Sequence, residues 1–442
     1  MAQRSTEAQT EARVLPPDDP LRARLHNELH ARPIPRIHLP ALVVRVAVRH
    51  EGVSPEEELA HIRRLGGQEK VDPVAGNFLR VRLAGGLLRW ERHTEFSTYT
   101  LVQGLPSLEP SLEANLLAHL IVAPEWLRQI PGRTLAAVEL VMVQGPVEKA
   151  LEMARPWFGE RTVVASVMGR NGHSCVVTDF SLRPDGFERM VVVAPEGTSE
   201  TRAGRIATRL LEIETYRMMA LLGFPVALAL RDLLSHWEEA LAEITARIRE
   251  ANRADTELLD ELEALAAQVE HSIAQHSSRF SATQAYHALV KARLAELRET
   301  PIPGTQTLGE FLQRRFNPAM TTVEFTANRL MALSQRIERA LALLRTRVDI
   351  TLETQNQELL SKLQRGQELQ YQLQRTVEGL SVAAISYYVV GLLYYLFKAG
   401  EKAGLALVPE VAAGAAIPGV VLGVWWLTRR IHHRLERARG EA

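Results

Sequence analysis

The sequence predicts an α+β (or α/β) cytoplasmic domain, then long antiparallel helices, then a C-terminal two-helix transmembrane hairpin. Three observations carry this. Strand-like segments crowd residues 21–196. Apolar residues at helical spacing then dominate residues 197–378. Two uncharged apolar runs, 379–397 and 411–428, close the chain, and each is about long enough to cross a ~30 Å hydrocarbon core.

Taken in order, the first twenty residues, "MAQRSTEAQTEARVLPPDDP", lack an apolar h-region and read as a disordered leader, not a secretory signal. "ALVVRVAV" (Ala41–Val48) is a β-branched run suited to a buried strand. Ser54-Pro55-Glu56-Glu57 opens a helix, with Ser54 as cap and Glu57 completing a capping box. "FLRVRLAGGLLRWERH" reads as a hairpin turning at Ala84-Gly85-Gly86. "FSTYTLV", "LAAVELVMVQ", "RTVVASVMG", "HSCVVTDF" and "FERMVVVAP" add strands, and "PVEKALEMARPWFG" a helix among them. After Pro195 the strands are expected to end.

From Thr198 to Glu299 one face carries Leu258, Leu262, Leu265 and Val269. "TPIPGTQT" then interrupts the helix, since two prolines and a glycine cannot continue it. A proline-free run from about Thr321 to Glu378 follows. In it Leu330, Leu333, Ile337, Leu341, Leu344, Val348, Leu352, Leu359 and Leu363 make a coiled-coil-like seam. As one helix it would reach roughly 85 Å at 1.5 Å per residue. Seven glutamines between Gln355 and Gln374 make its lower part polar. A solvated oligomeric stalk and a helix packed against the two before it are both open readings.

The charges flanking the apolar runs set an expected topology. Lys362, Arg365 and Arg375 precede the first run, and five arginines of the 429–442 basic tail follow the second. The thirteen residues between the runs balance two lysines with two glutamates. The positive-inside rule then puts both termini in the cytoplasm of a multi-pass inner-membrane protein, with the short loop outside. Trp425 and Trp426 fall at the inner boundary.

Formal net charge is zero over 442 residues, which argues against a nucleic-acid partner. The single cysteine, Cys175, excludes an internal disulfide framework; within a strand it reads as a small buried residue. Phosphate-loop, nucleophile-elbow and dinucleotide signatures are missing, so no cofactor is expected.

Three polar constellations remain. In "LHNELHARP" (Leu25–Pro33), His26 and His30 are four apart and could reach one ion on a helix face. A zinc-protease helix needs its glutamate directly after the first histidine, where this chain has Asn27. Glu28 lies about 200° around the helix from His26. Pro33 and Pro35 stop the helix and no third ligand follows nearby. The favoured reading of His26, Glu28, His30 and Arg32 is therefore a polar helix end at a domain contact, without metal. In "WERHTEFSTYT", Glu91, His93 and Glu95 would alternate onto one strand face, where they could bind a cation. The favoured reading is exposed sheet surface with cross-strand pairs. In the first span Ser381, Tyr388 and Tyr395 lie seven apart, and in the second Gly419 and Gly423 form a small-xxx-small pair. They are candidates for helix contact or a hydroxyl-lined pore.

"HNELHARP" resembles the signature of an uncharacterised bacterial family of membrane-anchored proteins, domain of unknown function 3422. "WERHTEFSTYT", "EFLQRRFNPAM" (Glu310–Met320) and "TVEGLSVAAISYY" (Thr376–Tyr388) resemble the same family, together spanning nearly the whole chain. The resemblance implies a bacterial membrane protein and brings no agreed activity. The order of parts is also similar to that of CorA-type magnesium transporters, which are oligomeric cation channels. That family has a Gly-Met-Asn motif where the first span ends, and this chain has "LYYLFKAGE". The expected function is a membrane-anchored oligomeric scaffold or regulator in contact with the lipid bilayer. The alternative is a homo-oligomeric cation channel, and an enzyme acting through the His/Glu groups stands third.

Overall fold

The computed structural model describes residues 18–22, 25–26, 33–65, 77–105, 116–250, 255–402 and 408–439. The chain divides into two compact units, Met1–Asn252 with Asp260–Leu341, and Arg253–Leu259 with Ala342–Ala442.

The first unit is built on one nine-stranded mixed sheet of order β2-β3-β4-β1-β5-β8-β7-β6-β9. The strands are β1 (Ala41–Arg49), β2 (Phe78–Leu83), β3 (Gly86–Arg92), β4 (Phe96–Gly104), β5 (Arg133–Gln144), β6 (Val164–Met168), β7 (Ser174–Thr178), β8 (Glu188–Ala194) and β9 (Thr300–Pro301). Among the named strands the β5–β8 pair alone is parallel. β1 lies between β4 and β5 and is buried along almost its whole length. Layers cover both sheet faces there, which is why its sequence runs apolar without alternation.

One face packs on α1 (Pro55–Arg63), α2 (Pro124–Arg128) and α3 (Ala150–Phe158), around Trp90, Tyr99, Trp126 and Trp157. The expected capping box starts α1. Ser54 Oγ accepts from the Glu57 amide at 3.2 Å, and Glu57 Oε2 accepts from the Ser54 amide at 2.8 Å. Cys175 is fully buried in this core, and burial pushes its thiol up to about 12, so it packs as an inert apolar residue.

The other face carries α4 (Glu200–Leu221). The backbone just after the opening histidine motif crosses the start of this helix. The Ile37 amide donates to Glu200 O at 3.1 Å. A Cβ on Gly204 would sit 1.8 Å from Pro35 O, so only glycine lets the two backbones meet there.

Helices α5 (Gly223–Arg249), α6 (Asp255–Leu297), α7 (Leu308–Arg315), α8 (Asn317–Lys402) and α9 (Pro409–Arg439) complete the chain. Polar ties join them within the first unit: Trp237 Nε1 to Gln268 at 3.1 Å, Arg329 to both Glu238 oxygens at 2.8 and 2.7 Å, and Ser334 to Glu270 at 2.8 Å. The expectation that strands end at Pro195 is corrected. "TPIPGTQT" does break the helices, but Thr300–Pro301 adds the edge strand β9 against β6. A proline can sit there because an edge strand leaves one side of its backbone unpaired.

The seam of the long helix divides in two. Leu330, Leu333, Ile337 and Leu344 are buried, whereas Leu352, Leu359 and Leu363 are exposed. The helix itself is continuous from Asn317 to Lys402, 86 residues.

Candidate functional site

The structure changes the reading of "WERHTEFSTYT". β3 ends at Arg92, and His93 to Glu95 form the turn into β4, closed by the His93 amide donating to Phe96 O at 2.8 Å. The three side chains therefore do not alternate along one strand, because β4 must fold back antiparallel on β3. Nor is the face exposed sheet surface. Glu91 sits opposite Thr98 in the register, its side chain largely buried beside Arg89, whose Nη2 donates to it at 2.7 Å.

Arg45, Glu91 and Thr98 of the sheet and His93 of the turn, with Glu212 and Tyr216 of α4, surround a cavity of about 20 Å³. That space suits a water molecule and excludes an organic substrate. Glu95 points to different partners. It pairs with Arg279 and accepts from the Tyr286 hydroxyl at 3.0 Å, both from α6. His93 stacks on Phe96 at 4.3 Å. The constellation thus splits: Glu91 pairs within its own strand with Arg89, while Glu95 ties α6 to the β3–β4 turn.

Of the opening motif, His26 is exposed, while Glu28, His30 and Arg32 lie outside the described residues, as do residues 1–17 of the expected leader. Among the described residues no group of three or more His, Cys, Asp or Glu side chains is gathered as a metal would need.

In the apolar runs the Ser381 hydroxyl donates to Val377 O of its own helix at 2.8 Å, and Tyr388 and Tyr395 are exposed. A Cβ added to Gly419 or Gly423 would meet nothing within 4 Å. The Tyr394 hydroxyl reaches Glu410 Oε1 at 3.4 Å, bringing the end of α8 beside the start of α9. Arg429 and Arg430 stack over Trp425 and Trp426 at 5.1 and 5.0 Å. Among the described residues three helical stretches are long and apolar enough to cross a membrane. They lie in Glu200–Arg249, Asn317–Lys402 and Pro409–Ile431, with 33%, 6% and 6% of their apolar windows buried.

The strongest electrostatics sit at buried charges that sequence reasoning passed over. Glu139, fully buried in β5, accepts from Arg189 Nε and Nη2 at 3.0 and 2.7 Å. Burial raises its carboxyl above the usual range despite the pull of Arg189. On the opposite face Arg217 joins Glu214 of α4 to Glu188 of β8 at 3.0 Å. Burial, then the charge of Glu214, pushes Glu188 up to about 8. On α1, Glu58 accepts from Trp90 Nε1 at 3.2 Å and pairs with Arg92 at 2.7 Å. His61 stacks on Trp126 at 4.5 Å, and burial and then Arg64 hold it below its usual value. The available signal was a charge inside an apolar run, as in "AAVELVMV".

Glu188 makes the fold sensitive to pH. An unfolded glutamate titrates near 4.5 and the folded one near 8. Between those values the native state holds a proton that the unfolded chain has released, so this group's contribution falls as pH rises. Glu188→Gln keeps a neutral donor beside Glu214. It should flatten the fall of the unfolding midpoint between pH 5 and 8 and leave the variant more stable than wild type at pH 9. An unchanged slope in the variant would contradict this assignment.

Comparison with known proteins adds the following. The family model described as "Protein of unknown function (DUF3422)" matches residues 17–435. No curated protein matches the chain. A solved structure described as "structure of the full-length CmaX protein" is similar at 13% identity and a TM-score of 0.20. The match covers 67% of this chain and 89% of that one.

Proposed function

This chain belongs to the DUF3422 family, and we propose that it is a multi-pass bacterial inner-membrane protein serving as an oligomeric scaffold or regulator. The observation that carries this is the contrast in burial among the three apolar stretches. The window in α4 and α5 buries a third of its residues in the sheet unit, whereas those in α8 and α9 bury 6% each. A folded soluble chain rarely leaves two such runs uncovered, and a bilayer would cover them.

The remaining parts fit a hairpin of 379–397 and 411–428. The charge bias around the runs favours cytoplasmic termini, and the Trp425 and Trp426 rings beneath Arg429 and Arg430 suit an inner interface. Leu352, Leu359, Leu373 and Leu380 recur at multiples of seven and are exposed in the single chain, which suits a coiled coil with further copies. The long helices would then run antiparallel within each subunit.

A CorA-like cation channel is the second reading, favoured by the exposure of Tyr388 and Tyr395 on the Ser381 stripe. Cysteine placed at each of these positions, in a chain with Cys175→Ala, separates the two. The anchor reading expects water-soluble thiol reagents to label only positions near the membrane edges, and no cation flux in liposomes. Labelling of all three positions, with Val389 and Leu393 protected and flux present, would replace the scaffold with the channel.

A further inference from the structure

A cavity of about 940 Å³ lies in the sheet unit away from every constellation read from the sequence. Three elements meet around it: the β6–β7 turn, the start of α4 and the end of α6. The turn is Gly169-Arg170-Asn171-Gly172, with both glycines at positive φ, +89° and +60°. It is tied to α6 by the Gly169 amide donating to Leu297 O at 2.9 Å.

The lining is strongly basic. Arg170, Arg202, Arg205 and Arg298 face this space together with Arg209, and Glu296 is the one acidic residue on the wall. Glu296 is already taken by Arg209 at 2.9 Å and by Arg293 at 2.7 Å. Among the described residues no carboxylate lies within ion-pair distance of the other four guanidiniums. Four exposed guanidiniums around one space make it locally positive and favour an anion there.

Two further features point to what that anion meets. α4 is 22 residues long, and the side chain of its capping residue, Ser199, bonds none of the first-turn amides, so the positive end of the helix dipole is left for a ligand. Independently, Ser174 on β7 lines the same space, is 1% exposed, and has a hydroxyl without a hydrogen-bond partner. A buried hydroxyl left unpaired costs free energy that a ligand oxygen would recover.

We propose that this cavity is a binding site for a phosphate-bearing anion. Arg202 and Arg205 grip phosphoryl oxygens at the start of α4, Arg170 and Arg298 close over it from the turn and from α6, and Ser174 donates from the floor. Guanidinium forks match phosphate geometry and make its strongest hydrogen bonds. The volume is within the range of nucleotide-sized ligands. Burial and then Arg202 hold His173 below its usual value, so a bound anion would raise it. The same chemistry could come from a soluble phosphorylated metabolite or from a lipid headgroup.

Titration calorimetry of the full-length protein in detergent, with tripolyphosphate as the probe, tests the site. Saturable binding is expected that weakens as salt rises. Replacing Arg202 and Arg205 together by alanine should weaken it about ten- to hundredfold, without lowering the unfolding midpoint of the free protein. Ser174→Val should weaken it severalfold, and Arg63→Ala, on α1, should not. Repeating the titration in phosphatidylcholine nanodiscs with and without phosphatidylglycerol identifies the source. Competition by the anionic lipid assigns the site to a headgroup, and its failure to compete assigns it to a soluble phosphate. Absence of saturable tripolyphosphate binding, or equal affinity in wild type and the double arginine variant, would overturn the proposal.

Discussion

Leu344→Asp should collapse the upper part of the long helix. Leu344 is 0% exposed, and one turn further on Arg347 pairs with Asp255 at 3.0 Å, holding the first turn of α6 against α8. An aspartate there would carry a charge into a position that is fully buried and apolar in the wild type. It must either stay charged in a low-dielectric site or take up a proton, and each route loses the packing of the leucine as well. The expected cost is about 3–5 kcal/mol, a large share of the ~5–15 kcal/mol that holds a typical domain together. The unfolding midpoint should drop by several degrees or more, and limited proteolysis should cut near residue 344. Leu359→Asp is the companion. Leu359 is 58% exposed in the single chain, so an isolated subunit would tolerate the change. If the exposed heptad leucines join copies of the chain, that variant should keep its midpoint and lose its oligomeric mass in detergent. A wild-type midpoint for Leu344→Asp would mean that this part of the seam faces solvent.

Much of the fold could be read directly because its signals are local. The β-branched run at Ala41–Val48 became the buried β1. Ser54 and Glu57 made their reciprocal cap, and the Ala84-Gly85 turn closed the β2–β3 hairpin. The absence of proline from 321 to 378 allowed one helix, which extends to Lys402. What escaped the sequence depends on distant partners. Whether His93 and Glu95 continue a strand is decided by where β4 turns back, and whether Glu91 is exposed is decided by α4 lying over it. The pairing of β6 with Thr300–Pro301 joins segments about 130 residues apart. The apolar window in α4 and α5 has the hydropathy of a membrane span, and only the sheet beneath it distinguishes the two uses of such a segment. The arginine-lined cavity was hidden for the same reason, since Arg170, Arg202 and Arg298 are scattered along the chain and stand together only where α4 starts and α6 ends beside one turn.

The proposed membrane hairpin would have both ends on the cytoplasmic side. Its physical basis is the asymmetry of charge. Lys362, Arg365 and Arg375 lie before the first run and five arginines after the second, against two lysines offset by two glutamates between them. Moving five arginines across the bilayer is strongly disfavoured, so the orientation should be uniform across the population. Paired reporters, one active only in the cytoplasm and one only outside it, fused after Ala442 and inserted near Gly404, read this directly. The account predicts a cytoplasmic signal at Ala442 and an external signal at Gly404, with the full chain in the membrane fraction. An external signal at Ala442, or cytoplasmic signals at both positions, would contradict it.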